Sequence, residues 1–184
     1  MTFKEYAELA QRTASTKTKE EKIGHGILGL IGEAGEIVDI IKKWKYMNLP
    51  IDTVNEKLMD EAGDWLWYLI EYCTGNGFDI EYIMSKSIGE IDYLIDDIEE
   101  AAVTLVGFAA DTHLQYYPDC WDEQKDEVND VIDMCIVFNM LLRYASLDIN
   151  DVMQHNIDKL SKRYPEHKFD ADRSNRRYEH DTDG

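Results

Sequence analysis

The chain has 184 residues, 44% hydrophobic and 31% charged, which is enough apolar content for a packed core and too much for wholesale disorder. Against 38 Asp and Glu stand 19 Lys and Arg, so the formal net charge is −19. That balance excludes a protein that tracks a nucleic-acid backbone, which needs a basic footprint, and one that docks electrostatically on anionic membrane.

Charge starts at Lys4 and no apolar segment follows, so no signal peptide is expected. The longest apolar runs fall well short of the ~20 residues that span a bilayer. Cys73, Cys120 and Cys135 are odd in number, widely separated and without zinc spacing to any histidine. They read as buried, reduced thiols in a cytoplasmic protein.

Prolines occur only at Pro50, Pro118 and Pro165, and the long intervals between them predict an all-α fold, a helical bundle. Ile27, Leu30, Ile31, Ala34, Val38 and Ile41 recur at steps of three and four, a single apolar stripe on one helix. Leu58, Ala62, Trp65, Leu66, Leu69 and Cys73 form a second. Gly75-Asn76-Gly77 predicts its end, and Asp79 predicts the cap of a short helix running through Ile83 and Ile88.

The second half repeats this plan. One shift places Asp64 on Asp133, Asp79 on Asp148, Ile80 on Ile149, Met84 on Met153 and Ile88 on Ile157; a slightly shorter one places Leu30-Ile31 on Leu94-Ile95 and Glu36 on Glu100. The difference puts a longer loop in the second copy, with Pro118 where the first has Pro50. The expected organisation is a pseudo-dimer of two repeats, residues 1–90 and 91–165. A polar tail, 166–184, carries Arg173, Arg176 and Arg177 and is expected to be disordered at its end.

The sharpest chemical feature is Glu33-x-x-Glu36 followed by Glu61-x-x-Asp64. Residues three apart share one side of a helix, and each pair flanks its apolar stripe. Packing the two stripes together brings four carboxylates to one cleft, where mutual repulsion raises their pKa values. Hard divalent cations relieve that repulsion. With no ExxH motif in the chain, an oxygen-ligated Mg²⁺ or Mn²⁺ fits better than a redox metal. In so acidic a chain the competing reading is a pair of solvated helix flanks.

Gly29-Leu30-Ile31-Gly32-Glu33-Ala34-Gly35-Glu36-Ile37-Val38 and Asp60-Glu61-Ala62-Gly63-Asp64-Trp65-Leu66-Trp67-Tyr68-Leu69 resemble the MazG family of all-α nucleotide pyrophosphohydrolases. Residues 6–14 are similar to that family's first helix, and residues 156–165 to its closing segment. Gly32, Ala34, Gly35, Ala62 and Gly63 sit where the family brings helices close. The Lys-and-Arg signature is missing from the first copy and appears only in the second, whose own acids are Asp97, Glu100, Asp130 and Asp133. This resembles the fused, dimeric dUTPase-like relatives. It implies a main metal site in the first copy completed by cations from the second; whether the second acid set also holds metal stays open.

The resemblance implies hydrolysis of a nucleoside triphosphate, (d)NTP, to the monophosphate and pyrophosphate, with Mg²⁺ held by Glu33, Glu36, Glu61 and Asp64. A homodimer is the expected assembly, because short helical halves seldom bury enough surface alone, with a pseudo-dimeric monomer as the alternative; the acidic balance predicts no nucleic-acid polymer or membrane as partner. Lys159 and Arg163, spaced i, i+4, would clamp the departing pyrophosphate, with Asn156 one turn earlier on sugar or phosphate. Lys43, two turns beyond Glu36, would meet a phosphate oxygen, or else serve as a surface cation. Tyr68 continues the acid row as a ligand contact, while Trp65 belongs to the core. His25 is expected to pack or cap, and His113, His155, His167 and His180 have no metal spacing. Two alternatives compete: a nucleotide-binding regulator without turnover, and an acidic helical adaptor without ligands.

Overall fold

The computed structural model describes residues 1–89, 95–116, 127–166 and 169–170. Leu94, Pro118, Cys120, His167, His180 and the arginines of the tail lie outside the described residues. Among the described residues the fold is all-α, with seven helices and no strand. They are α1 (Phe3–Ala10), followed by a 3₁₀ turn (Gln11–Thr13), then α2 (Lys19–Met47), α3 (Ile51–Asn76), α4 (Ile80–Gly89), α5 (Ile98–Tyr116), α6 (Glu127–Tyr144) and α7 (Ile149–Arg163). No described helix is long and apolar enough to cross a membrane.

Local chemistry sets the boundaries. Thr2 with Glu5, and Thr18 with Glu21, form reciprocal capping boxes at the starts of α1 and α2. Asn48, at φ 56°, turns the chain out of α2, and Pro50 precedes α3. The stop expected at residues 75–77 falls on Gly77, at φ 75°, whose N–H reaches back to the carbonyls of Cys73 and Thr74. Asp79 Oδ1 accepts from Glu81 N at 3.0 Å and caps α4; Asp148 Oδ1 accepts from Asn150 N at 2.8 Å and caps α7.

The second apolar stripe is buried at every position named for it. The first is displaced: Ile31 and Val38 are half-buried, whereas Ile37 and Ile40 join Ile27, Leu30, Ala34 and Ile41 in the core. The reason is that α2 packs against both α3 and α5, so its apolar surface is wider than one neighbour would need. In the short helix Ile83 is buried, but Ile88 is 56% exposed.

Helices α2 and α3 form an antiparallel pair. α5 packs on α2 and α6, α4 on α6, and α7 on α3, while α1 touches α3, α4 and α7. Trp65 of α3 stacks on Phe138 of α6, with ring centroids 4.2 Å apart. Cys73 and Cys135 are buried free thiols, and burial pushes the Cys73 thiol up to about 12, so neither is poised to react.

The close approach between α2 and α3 differs from the one expected. A Cβ added at Gly32 or Gly35 would meet nothing within 4 Å. The tight places are Gly26, where a Cβ would lie 2.8 Å from Tyr72 N, Gly29, where it would run into the Tyr68 ring, and Gly75 of α3, where it would lie 2.9 Å from Ile23 N. Glycines 32 and 35 fall on the solvent side of α2, because 26 and 29 occupy the side that meets α3. Ala34 and Ala62 are fully buried, and Gly63 abuts Asn156 of α7.

Candidate metal centre

The register of the α2–α3 pair builds the site. Gly26 lies against Tyr72 and Gly29 against Tyr68. Continuing one helical turn along both antiparallel helices sets Glu33 across from Asp64, and a further turn sets Glu36 across from Glu61. Carboxylate oxygens of Glu33, Glu61 and Asp64 all lie within 4.8 Å of one another. Glu36 is exposed at the rim, outside that trio.

Electrostatics follow from this crowding. Burial, then the charges of Asp64, Glu36 and Glu61, push the Glu33 carboxyl up to about 8, and it shares a hydrogen bond with Glu61. Glu61 is also raised, first by burial and then by Glu36 and Asp64, with Lys159 acting against the rise. That ammonium lies 2.8 Å from Asp64 Oδ2 and 3.6 Å from Asp60 Oδ1. The donors are all oxygens, part-buried and short of positive charge, which is the set a hard divalent cation takes.

Helix α7 supplies the other wall. Lys159 Nζ donates to Asp64 Oδ2 at 2.8 Å and to the Asp60 carbonyl at 3.3 Å. Asn156 Nδ2 donates to Asp64 Oδ1 at 3.0 Å, and Asn156 Oδ1 accepts from the Tyr6 hydroxyl at 2.9 Å. His155 Nε2 lies 2.7 Å from Asp60 Oδ1. Burial and the Asp64 charge hold the Tyr6 phenol far above its ordinary range, so it keeps its proton.

Of the residues singled out by sequence, the structure brings together Glu33, Glu61, Asp64, Asn156 and Lys159, with Glu36 at the edge. Tyr68 lies one turn from Asp64, edge-on to His25 at 5.2 Å and to Trp67 at 5.0 Å. Lys43 is turned to Asp39 at 2.5 Å, and Arg163 lies over the Tyr164 ring at 5.5 Å; neither pairs with the acid cluster. Asn156 is fully buried between Asp64 and Tyr6, which leaves its amide committed to protein partners.

The second acid set is not a copy of the first. Asp97 Oδ1 accepts from Glu100 N at 2.9 Å and Glu100 Oε2 accepts from Asp96 N at 2.8 Å, so these two acids close the first turn of α5. Among the described residues the only group of three or more potential metal ligands is Glu33, Glu61 and Asp64. Sequence reasoning missed Tyr6, Asp60 and His155. His155 stands four residues before Lys159, a spacing that signals a shared face, and Asp60 adjoins the acid motif; nothing local marks Tyr6.

No family model matches the chain, and neither does any curated protein or solved structure.

Proposed function

We propose that this protein is a Mg²⁺-dependent nucleoside triphosphate pyrophosphohydrolase of the MazG type, cleaving (d)NTP to (d)NMP and pyrophosphate. The observation that carries the reading is the convergence of Glu33, Glu61 and Asp64 beside Lys159. Glu33, Glu61 and Asp64 would hold the cation, with Glu36 reaching in from the rim. When bound there, Mg²⁺ would supply charge screening for the triphosphate and Lewis-acid polarisation of phosphorus. A carboxylate of the cluster not committed to the cation would take the proton from the attacking water. Lys159 holds Asp64 Oδ2 at 2.8 Å and offers an ammonium beside the departing pyrophosphate. Tyr68 provides an aromatic edge for the nucleoside.

The reading includes the fused repeat. Its support is the exchange of short helices, α4 onto α6 and α7 onto α3, with α2 against α5 between them. One copy then contributes the acids and the other contributes Lys159. It also includes a cytoplasmic homodimer, which light scattering tests directly.

The decisive experiment is a pyrophosphate-release screen over ordinary and modified triphosphates with Mg²⁺ or Mn²⁺. Asp64→Asn is expected to lower kcat/KM on the order of a hundredfold or more while circular dichroism keeps the helical signal. Nucleotide binding without pyrophosphate release across the panel would replace this reading with a regulatory binding protein. No binding and no release would leave a structural role.

A further inference from the structure

We propose that Tyr6 and Asn156 are positioning residues that orient the Asp64 carboxylate within the acid cluster, an inference that rests on the metal-centre reading. Tyr6 and Asn156 are both fully buried, on α1 and α7, and meet above Gly63 of α3. An ionised carboxylate only accepts hydrogen bonds, so the amide NH₂ of Asn156 faces Asp64 and its carbonyl faces Tyr6. The phenol is then the donor, and the chain runs one way: Tyr6 O–H to Asn156 Oδ1 at 2.9 Å, Asn156 N–H to Asp64 Oδ1 at 3.0 Å. The same hydroxyl lies 3.4 Å from the Gly63 carbonyl, which ties the relay to the backbone one residue before Asp64.

The two oxygens of Asp64 are thus held by different donors, Oδ1 by Asn156 and Oδ2 by Lys159. Each oxygen keeps a second lone pair for a cation. Gly63 has a steric part in this. A Cβ there would lie 3.0 Å from Asn156 Cβ and 3.2 Å from its Nδ2, so a side chain at 63 would shift the amide by a few tenths of an ångström and disturb its bond to Asp64. Support of this kind, one bond beyond the ligand, fixes a carboxylate's orientation and its basicity. Asn156 accordingly serves the protein and not the sugar or phosphate.

The test measures Mn²⁺ binding by titration calorimetry and thermal unfolding without metal, on the full chain. Tyr6→Phe keeps the buried ring and removes the hydroxyl; Gly63→Ala displaces the amide without altering either partner. Both are expected to weaken Mn²⁺ binding roughly tenfold, within the range for lost supporting contacts, while the helical signal is retained. A lower Tm with unchanged Mn²⁺ affinity in both variants would overturn the proposal, reducing the pair to an ordinary buried hydrogen bond. Should Tyr6→Phe fail to fold, Gly63→Ala alone decides between the two outcomes. Wild-type protein that binds no Mn²⁺ would overturn the metal-centre reading itself, and this inference with it; wild-type binding matched by both variants removes only the inference.

Discussion

Glu33 is the residue whose energetics run against the fold. Burial and three neighbouring acids favour its neutral form, so the folded state binds a proton there that the unfolded chain has lost at neutral pH. The stabilising side of that linkage is complete below the ordinary carboxylate range and is lost as pH rises toward about 8. Metal-free protein should therefore lose stability across this window. Glu33→Gln should flatten the loss and raise stability near pH 8 by on the order of 1–2 kcal/mol, after solvent screening. Urea unfolding at several pH values without divalent ions checks the sign. Glu71 has the opposite sense. Burial raises its carboxyl, but His25, Thr16, Gln11 and Lys22 more than offset this and leave it lowered, so its contribution fades as pH falls. It lies two turns beyond Asp64 on α3, and it anchors Gln11 and Thr16 from the segment that leads into α2 and Lys22 from the start of α2 itself.

Among the elements, the α2–α3 pair decides whether the acids meet, and its glycines are separable by experiment. At Gly26 an added Cβ collides with the Tyr72 backbone, 2.8 Å from N and 2.9 Å from Cα, where nothing can swing aside. Gly26→Ala should cost about 1–3 kcal/mol despite alanine's better helix propensity. At Gly32 the same change meets open space, and it should stabilise by about 0.5–1 kcal/mol. Thermal melts of the two variants should move in opposite directions. Equal shifts would mean that the register placing Glu33 across from Asp64 is wrong.

For the molecule as a whole, the net charge of −19 repels both a triphosphate and further negative charge in the cleft. A divalent cation that binds only the folded chain stabilises it by mass action, about 2.7 kcal/mol at a hundredfold excess over Kd. Calorimetric scans should show Tm rising by several degrees with Mg²⁺, roughly 5–10 °C at such an excess. Asp64→Asn should abolish the rise. The packing of α7 on α3 and of α5 on α2 makes a second prediction. A fragment of residues 1–90 lacks α7, which covers α3, and α5, which covers α2. It should bind a hydrophobic dye and melt without a cooperative transition, as a chain does when its apolar faces lose their partners.

What the residues determined by themselves was whatever depends on near neighbours. Helix periodicity, the caps at Asp79 and Asp148, the stop at Gly77 and the same-side pairing within each acid motif all arise within a turn or two of chain. Even there, α2 shows the limit: which of Ile31, Ile37, Val38 and Ile40 is buried depends on how many helices pack on it, and local pattern carries no record of that. Only the tertiary structure could decide that Glu36 stays at the rim, that Lys43 and Arg163 turn to other partners, and that Asp97 and Glu100 close a helix instead of framing a second cluster. Tyr6 is the plainest case. Its hydroxyl reaches Asp64 through a residue 150 positions away, and a contact of that separation exists only once the chain has packed.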